Sequence, residues 1–270
     1  MAVSRRNEGS DVGARVLAAI PAIIFAIFIV DRGGLIFAVG FLLLGLMAQA
    51  ELFQMMKQPR PPVVAGYLSL IALALAAHYG DRPQVLLVFV ASLPAVFAFT
   101  LLRPQRRDSS WAIAVVILAN VWIGLAIAHG VLLRELPHGG ALVLDTAIGT
   151  FLGDTGAYFG GRMWGRTKLS PRISPNKTVE GLIAGFAVGT FAFWFAGTYQ
   201  DWLNGIDALI IGASVAAAAP IGDLFESLIK RDTGVKDTGR FFGAHGGVLD
   251  RLDAVFFSVV AAYYVALAVL

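Results

Sequence analysis

Asp223, Glu226, Ser227 and Lys230 fall at i, i+3, i+4 and i+7 near the end of a long apolar run. That spacing puts them on one face of a helix. Leu224, Phe225, Leu228 and Ile229 take the other face. Such a helix turns a polar stripe to a cavity and an apolar stripe to its neighbours or to lipid. Asp250 and Asp253 open the next apolar run and share a face by the same arithmetic. Acids inside apolar segments are expensive and mark function. If the loop between the runs folds back, the two pairs converge. Several carboxylates in a partly dry place cannot all ionise without a cation. The chain has no cysteine. An all-oxygen ligand set calls for Mg²⁺ or a similarly hard cation. Asp223 and Asp250 are its expected ligands, and Asp154, Glu226 and Asp253 are further candidates. The competing use of each acid is an ion pair. For Asp253, Arg251 or Arg240 serves as well as a metal does. For Asp223 and Asp250 the ion pair is disfavoured, because desolvation offsets its gain.

Two glycine-rich loops flank these acids. Loop 161–178 carries Arg162, Arg166, Lys168, Arg172 and Lys177. Loop 231–249, with its end residues Lys230 and Arg251, carries Arg231, Lys236 and Arg240 as well. This is more positive charge than topology requires. It predicts binding of a polyanion, either a nucleoside triphosphate or a lipid phosphate. Attraction to anionic headgroups, worth about 1 kcal/mol per basic residue, accounts for the same charge equally well. Gly243-Ala244-His245-Gly246-Gly247 forms a tight turn between basic clusters. Bare backbone there approaches phosphate oxygens closely, and His245 can donate to one; a simple turn is the other reading. Ser174 or Thr178 is expected to cap the next helix, whose N-terminus then faces an anion beside Lys177. Glycines 149, 153, 156 and 160 permit close helix packing.

These residues must be positioned by membrane helices. Of 270 residues, 57% are hydrophobic and 14% charged, against about 25% charged in a soluble domain. The mean hydropathy is +0.74. Roughly 20 apolar residues cross a bilayer. Nine spans are predicted: Ala14–Val30, Leu35–Phe53, Val63–His78, Val85–Leu102, Trp111–His129, Ala141–Gly160, Val179–Tyr199, Ala208–Ile229 and Leu252–Leu270. Pro220 is expected to kink the eighth. The fold class is therefore an all-α polytopic transmembrane bundle. A polar tail, residues 1–13, precedes five N-terminal helices within 14–140, and a catalytic region spans 141–270. No cleaved signal peptide is expected.

The positive-inside rule tests this count independently. With the N-terminus in the cytosol, all 21 basic residues except Arg32, Arg82 and Arg134 fall on the cytosolic side. The acids and basic loops then sit at that same side. Four scattered histidines and no cysteine argue against a zinc centre.

Ser227, Lys230-Arg231, Lys236-Asp237, His245-Gly246-Gly247, Asp250-Arg251 and Asp253 together resemble the signature of the phosphatidate cytidylyltransferase, or CDP-diacylglycerol synthase, family. The stretch from Asp154 through Ser174-Pro175-Asn176-Lys177-Thr178-Val179-Glu180-Gly181 is similar to that family's upstream segment. The likeness in detail covers about residues 150 to 257. It departs at Gly243-Ala244-His245, where the family often has Pro-Gly-His.

The resemblance implies CTP + phosphatidate → CDP-diacylglycerol + pyrophosphate, with Mg²⁺ and a second cation such as K⁺. It implies phosphate contacts from Lys177, Lys230, Arg231, Lys236, His245 and Arg251. Gly246 and Gly247 would let backbone approach, Ser174 would join the substrate site, and Ser227 would bind phosphate or orient Asp223. It allows a homodimer and implies no nucleic-acid partner. A chain this short with no extra domain fits a bacterial inner membrane. A CTP-dependent polyprenol or dolichol kinase would use similar parts but move the γ-phosphoryl group. A transporter is the third class, disfavoured because the acids cluster at helix ends and no repeat is visible.

Overall fold

The structure is a computed structural model that describes residues 8–104, 107–239 and 246–270, with side chains described from residue 20. Among the described residues, nine helical rods follow in order: α1 (Glu8–Arg32), α2 (Gly34–Met55), α3 (Val63–Tyr79), α4 (Arg82–Leu101), α5 (Ser109–Glu135), α6 (Gly139–Trp164), α7 (Val179–Gly197), α8 (Gly205–Thr233) and α9 (Leu249–Val269). Each overlaps one predicted span. Six of them, α2, α4, α5, α7, α8 and α9, are long and apolar enough to cross a membrane. Large apolar side chains such as Ile24, Leu87 and Phe191 stand exposed on the outside, as lipid-facing residues do.

The breakers act where the sequence places them. Asp81 caps α4 in a capping box with Gln84, ahead of Pro83 in the first turn. Gly33 turns the chain between α1 and α2 at φ 63°, in the left-handed region. α5 contains one π turn, Asn120–Gly124, which holds Asn120 buried in the bundle. α8 runs on past Pro220.

Contacts at helix ends and between connectors sort the helix ends into two faces. Arg134 Nε donates to Val30 O at 2.9 Å, and His78 Nδ1 lies 3.0 Å from Glu135 Oε1. The C-terminal ends of α1, α3 and α5 therefore share one face. Arg103 Nη2 donates to Pro59 O at 3.1 Å on the other. Neighbouring helices run antiparallel, as short connectors dictate.

Two close packings position the site. The backbones of α6 and α7 touch: a Cβ on Gly185 would stand 2.8 Å from Gly153 O, and one on Gly189 2.8 Å from Gly149 O. The glycine spacing read from the sequence as packing does that work. At Gly222, a Cβ would run into the carbonyl oxygen of Asp253, so α8 and α9 also meet through backbone. Their polar ends are thereby held side by side.

One small sheet departs from the all-α expectation. β1 (Lys168–Ser170) pairs antiparallel with β2 (Ser174–Thr178), Lys168 opposite Thr178 and Ser170 opposite Ser174. Residues 161–164, read as loop, complete α6 instead. The hairpin fills the span read as an irregular basic loop.

Candidate active site

The hairpin is fastened at both ends. Thr178 Oγ1 accepts from Gly181 N at 3.1 Å and caps α7; of the two expected caps, Ser174 instead opens β2. Glu180 accepts from the amides of Arg166 at 3.0 Å and Thr167 at 3.1 Å. At the tip, Arg231 Nε donates to Ile173 O at 3.2 Å, tying the hairpin to the end of α8. These bonds fix Lys177, the penultimate residue of β2, over a cavity of about 710 Å³. Asp154 of α6, Asp223 of α8, and Ser174, Tyr158 and Arg162 line it, with glycines 149, 153 and 185 in its wall. Lys177 Nζ and Asp223 Oδ2 form an ion pair here. Ser227 Oγ lies 3.5 Å from Asp223 Oδ1, so it can orient that acid but holds it weakly.

A second cluster lies where α8 meets α9. Lys230 Nζ bridges Glu226 Oε2 at 2.5 Å and Asp250 Oδ1 at 2.9 Å. Asp250 Oδ2 accepts from Gly247 N at 2.7 Å and Thr238 N at 3.0 Å. Gly246 sits at φ 80°, with its Cα turned so that a Cβ would strike Asp250 Oδ2. Glycine there is required twice, by backbone conformation and by space. Glu226 is 1% exposed, and its second oxygen has no hydrogen-bond partner among the described residues. Asp253, also buried, faces Glu226 and lies within the field of Asp223 and Asp154.

The sequence-predicted residues are thus drawn to one end of the bundle in two groups. Asp154, Asp223, Lys177 and Ser174 meet at the cavity; Glu226, Lys230, Asp250 and Asp253 meet beneath the turn at Gly246 and Gly247. Arg231, Lys236 and Arg251 stand exposed around them. His245 and Arg240 lie outside the described residues. Among the described residues, no three His, Cys, Asp or Glu side chains stand at metal-holding spacing. The donor chemistry still fits a hard cation. Asp154, Asp223 and Asp253 lie in one another's fields, Glu226 lies in those of Asp253 and Asp250, and one buried oxygen of Glu226 lacks a donor among the described residues. Such a group invites positive charge.

Glu51 of α2 is the residue that the sequence reading left aside. Its carboxylate accepts from Val248 N and Leu249 N at 2.9 Å each and from Thr238 Oγ1 at 3.0 Å. The signal was there: Glu51 is the sole charged residue in a 22-residue apolar helix, which is the pattern of a functional intramembrane acid.

Comparison with known proteins reaches beyond this end of the bundle. A family model described as "Cytidylyltransferase family" matches residues 13–269. A protein of Staphylococcus epidermidis is 34% identical over 248 residues, covering 90% of this chain and 94% of its own. One from Staphylococcus aureus is 33% identical over the same length. One from Bacillus subtilis is 30% identical over 264 residues, covering 94% and 97%. All three carry the name phosphatidate cytidylyltransferase. The likeness therefore includes the N-terminal helices, whose apolar sequence alone said little. Because it runs almost end to end and takes in both acid clusters, the chain belongs to the cytidylyltransferase family.

Proposed function

We propose that this chain is a phosphatidate cytidylyltransferase of a bacterial inner membrane, with its site at the cytosolic face. The observation that carries the reading is the near full-length identity to relatives of that name, with the acids and lysines gathered at one end. The nine rods are taken as nine crossings with the N-terminus inside. That orientation puts both acid clusters and both basic loops where CTP and the leaflet meet.

The chemistry asks little of the protein beyond position and charge. A phosphatidate phosphate oxygen is already a nucleophile. It attacks the α-phosphorus of CTP in line, a new P–O bond forms, and the bond to the β-phosphate oxygen breaks. Pyrophosphate leaves with the electron pair. Lys177, held over the cavity by the hairpin, meets phosphate oxygens once substrate displaces its pairing with Asp223. Arg231, Lys236 and Arg251, exposed at this end of the bundle, neutralise the triphosphate and the departing pyrophosphate. Lys230 is held between Glu226 and Asp250, so its part is to keep those acids in place. Asp223 and Asp154 at the cavity, with Glu226, Asp253 and Asp250 behind them, are the residues that would hold Mg²⁺ and a second cation such as K⁺. When bound, the metal would supply charge neutralisation during the transfer.

The test is turnover in phosphatidate-containing vesicles with CTP labelled at either end. Cytidylyl transfer moves an α-phosphate label into lipid and releases a γ label as pyrophosphate. A CTP-dependent lipid kinase moves the γ label into lipid, and that result would overturn the reading. Omitting Mg²⁺ should abolish the signal.

A further inference from the structure

Helix α9 begins without a cap of its own: Val248 stands at its N-cap and offers no side-chain acceptor. The first amides of a helix need acceptors. Here they come from another helix, far away in sequence. Glu51 Oε1 takes the Val248 amide and Oε2 takes the Leu249 amide. Oε2 also takes the hydroxyl of Thr238. Space has been cleared for this carboxylate, since a Cβ on either Gly239 or Gly247 would collide with it. Thr238 and Gly247, in turn, give their amides to Asp250. Two carboxylates thus staple the same two stretches of chain. Glu51 holds Thr238 by its side chain and the 248–249 amides; Asp250 holds Thr238 and Gly247 by their backbone.

We infer that Glu51 is a positioning residue for cytidylyl transfer: it caps α9 from α2 and thereby fixes Asp250 and, through Asp250, Lys230. This rests on the activity proposed above. Glu51 touches no reacting atom. A carboxylate is required because all three partners are donors, and only a group with two acceptor oxygens satisfies them together. Glutamine keeps the shape but turns an N–H₂ toward a donor. Aspartate keeps the charge but is one methylene short.

The experiment compares wild type, E51Q and E51D, each as the full chain in phosphatidate vesicles. Two quantities are read: turnover of CTP, and backbone hydrogen exchange without substrate. In E51Q, kcat and kcat/KM should fall together by about 10–100-fold with KM little changed, the mark of misplaced machinery. Amides 247–249 should exchange faster while those of the 168–178 hairpin keep their rates. A merely structural role would speed exchange throughout the molecule and lower the melting temperature. E51D should fall between wild type and E51Q, and it carries the test if E51Q fails to insert. Unchanged exchange at 247–249, or full turnover in both variants of an active enzyme, overturns the inference while the cytidylyltransferase reading stands. A wild-type chain that makes no CDP-diacylglycerol sinks that reading, and the inference with it.

Discussion

The acids at the polar end of the bundle are satisfied in opposite ways. Glu51 and Asp250 accept from backbone amides that belong to fixed turns. Asp223 faces an open cavity, and its principal partner is one lysine on a hairpin. The first arrangement is made of donors that cannot leave without unfolding the chain. The second is made of a side chain that can swing away. A carboxylate of the first kind shapes the protein, a duty that Asp250 would combine with its place in the proposed cation set. One of the second kind can exchange its lysine for a substrate or a cation. The molecule thus separates holding from handling within a single cluster of charge.

The strongest test of that separation sets Asp223→Asn against Asp250→Asn. Asp223→Asn should cut turnover by about 100–1,000-fold or more while insertion and melting temperature stay near wild type. Full activity in this variant at limiting Mg²⁺ would break the comparison and remove the metal role. Asp250→Asn should lose turnover and also loosen the chain at Thr238 and at Gly247, read as faster amide hydrogen exchange there. If both variants lost activity alone, the two acids would be of one kind.

A smaller effect is expected at Lys230. Lys230→Ala strands Glu226, which is almost wholly buried, at a cost of about 3 kcal/mol, measured by thermal unfolding in micelles. Adding Glu226→Gln should restore much of that stability, because the stranded charge is gone. Gly185→Ala presses on the backbone of α6 and should cost about 1–3 kcal/mol. It would narrow the cavity wall without touching an acid, so lost activity there would report shape and not charge. The least change is expected from Thr178→Ala, which removes the α7 cap for about 1 kcal/mol. Its KM for CTP should rise more than its kcat falls, since Lys177 is the neighbour it loosens.

The helices were legible because apolar length and the breakers between runs are written locally. The predicted Val63–His78 and Val179–Tyr199 differ from α3 and α7 only at their C-terminal ends. The acids of α8 and α9 were legible for a related reason: a carboxylate in an apolar run has no cheap explanation. Pairings were not legible. The spacing of 223, 226, 227 and 230 gives a common face, but it does not say that Lys230 turns to Asp250 and Lys177 to Asp223. Those choices depend on where the hairpin lands, and strands of three and five residues leave little pattern in a sequence. Glu51 was visible as an isolated charge, yet its partners lie 187 to 198 positions away. No periodicity spans that distance.

That long reach has a consequence during synthesis. α2 is made early, and the amides that its glutamate receives belong to the start of α9. At roughly 5–20 residues per second, on the order of ten to forty seconds separate the two on the ribosome. Throughout that interval the nascent chain holds Glu51 without the amides of Val248 and Leu249. Only when α9 is made does the first half of this polypeptide complete the second, so a chain cut short before Val248 would be a membrane protein without a working enzyme in it.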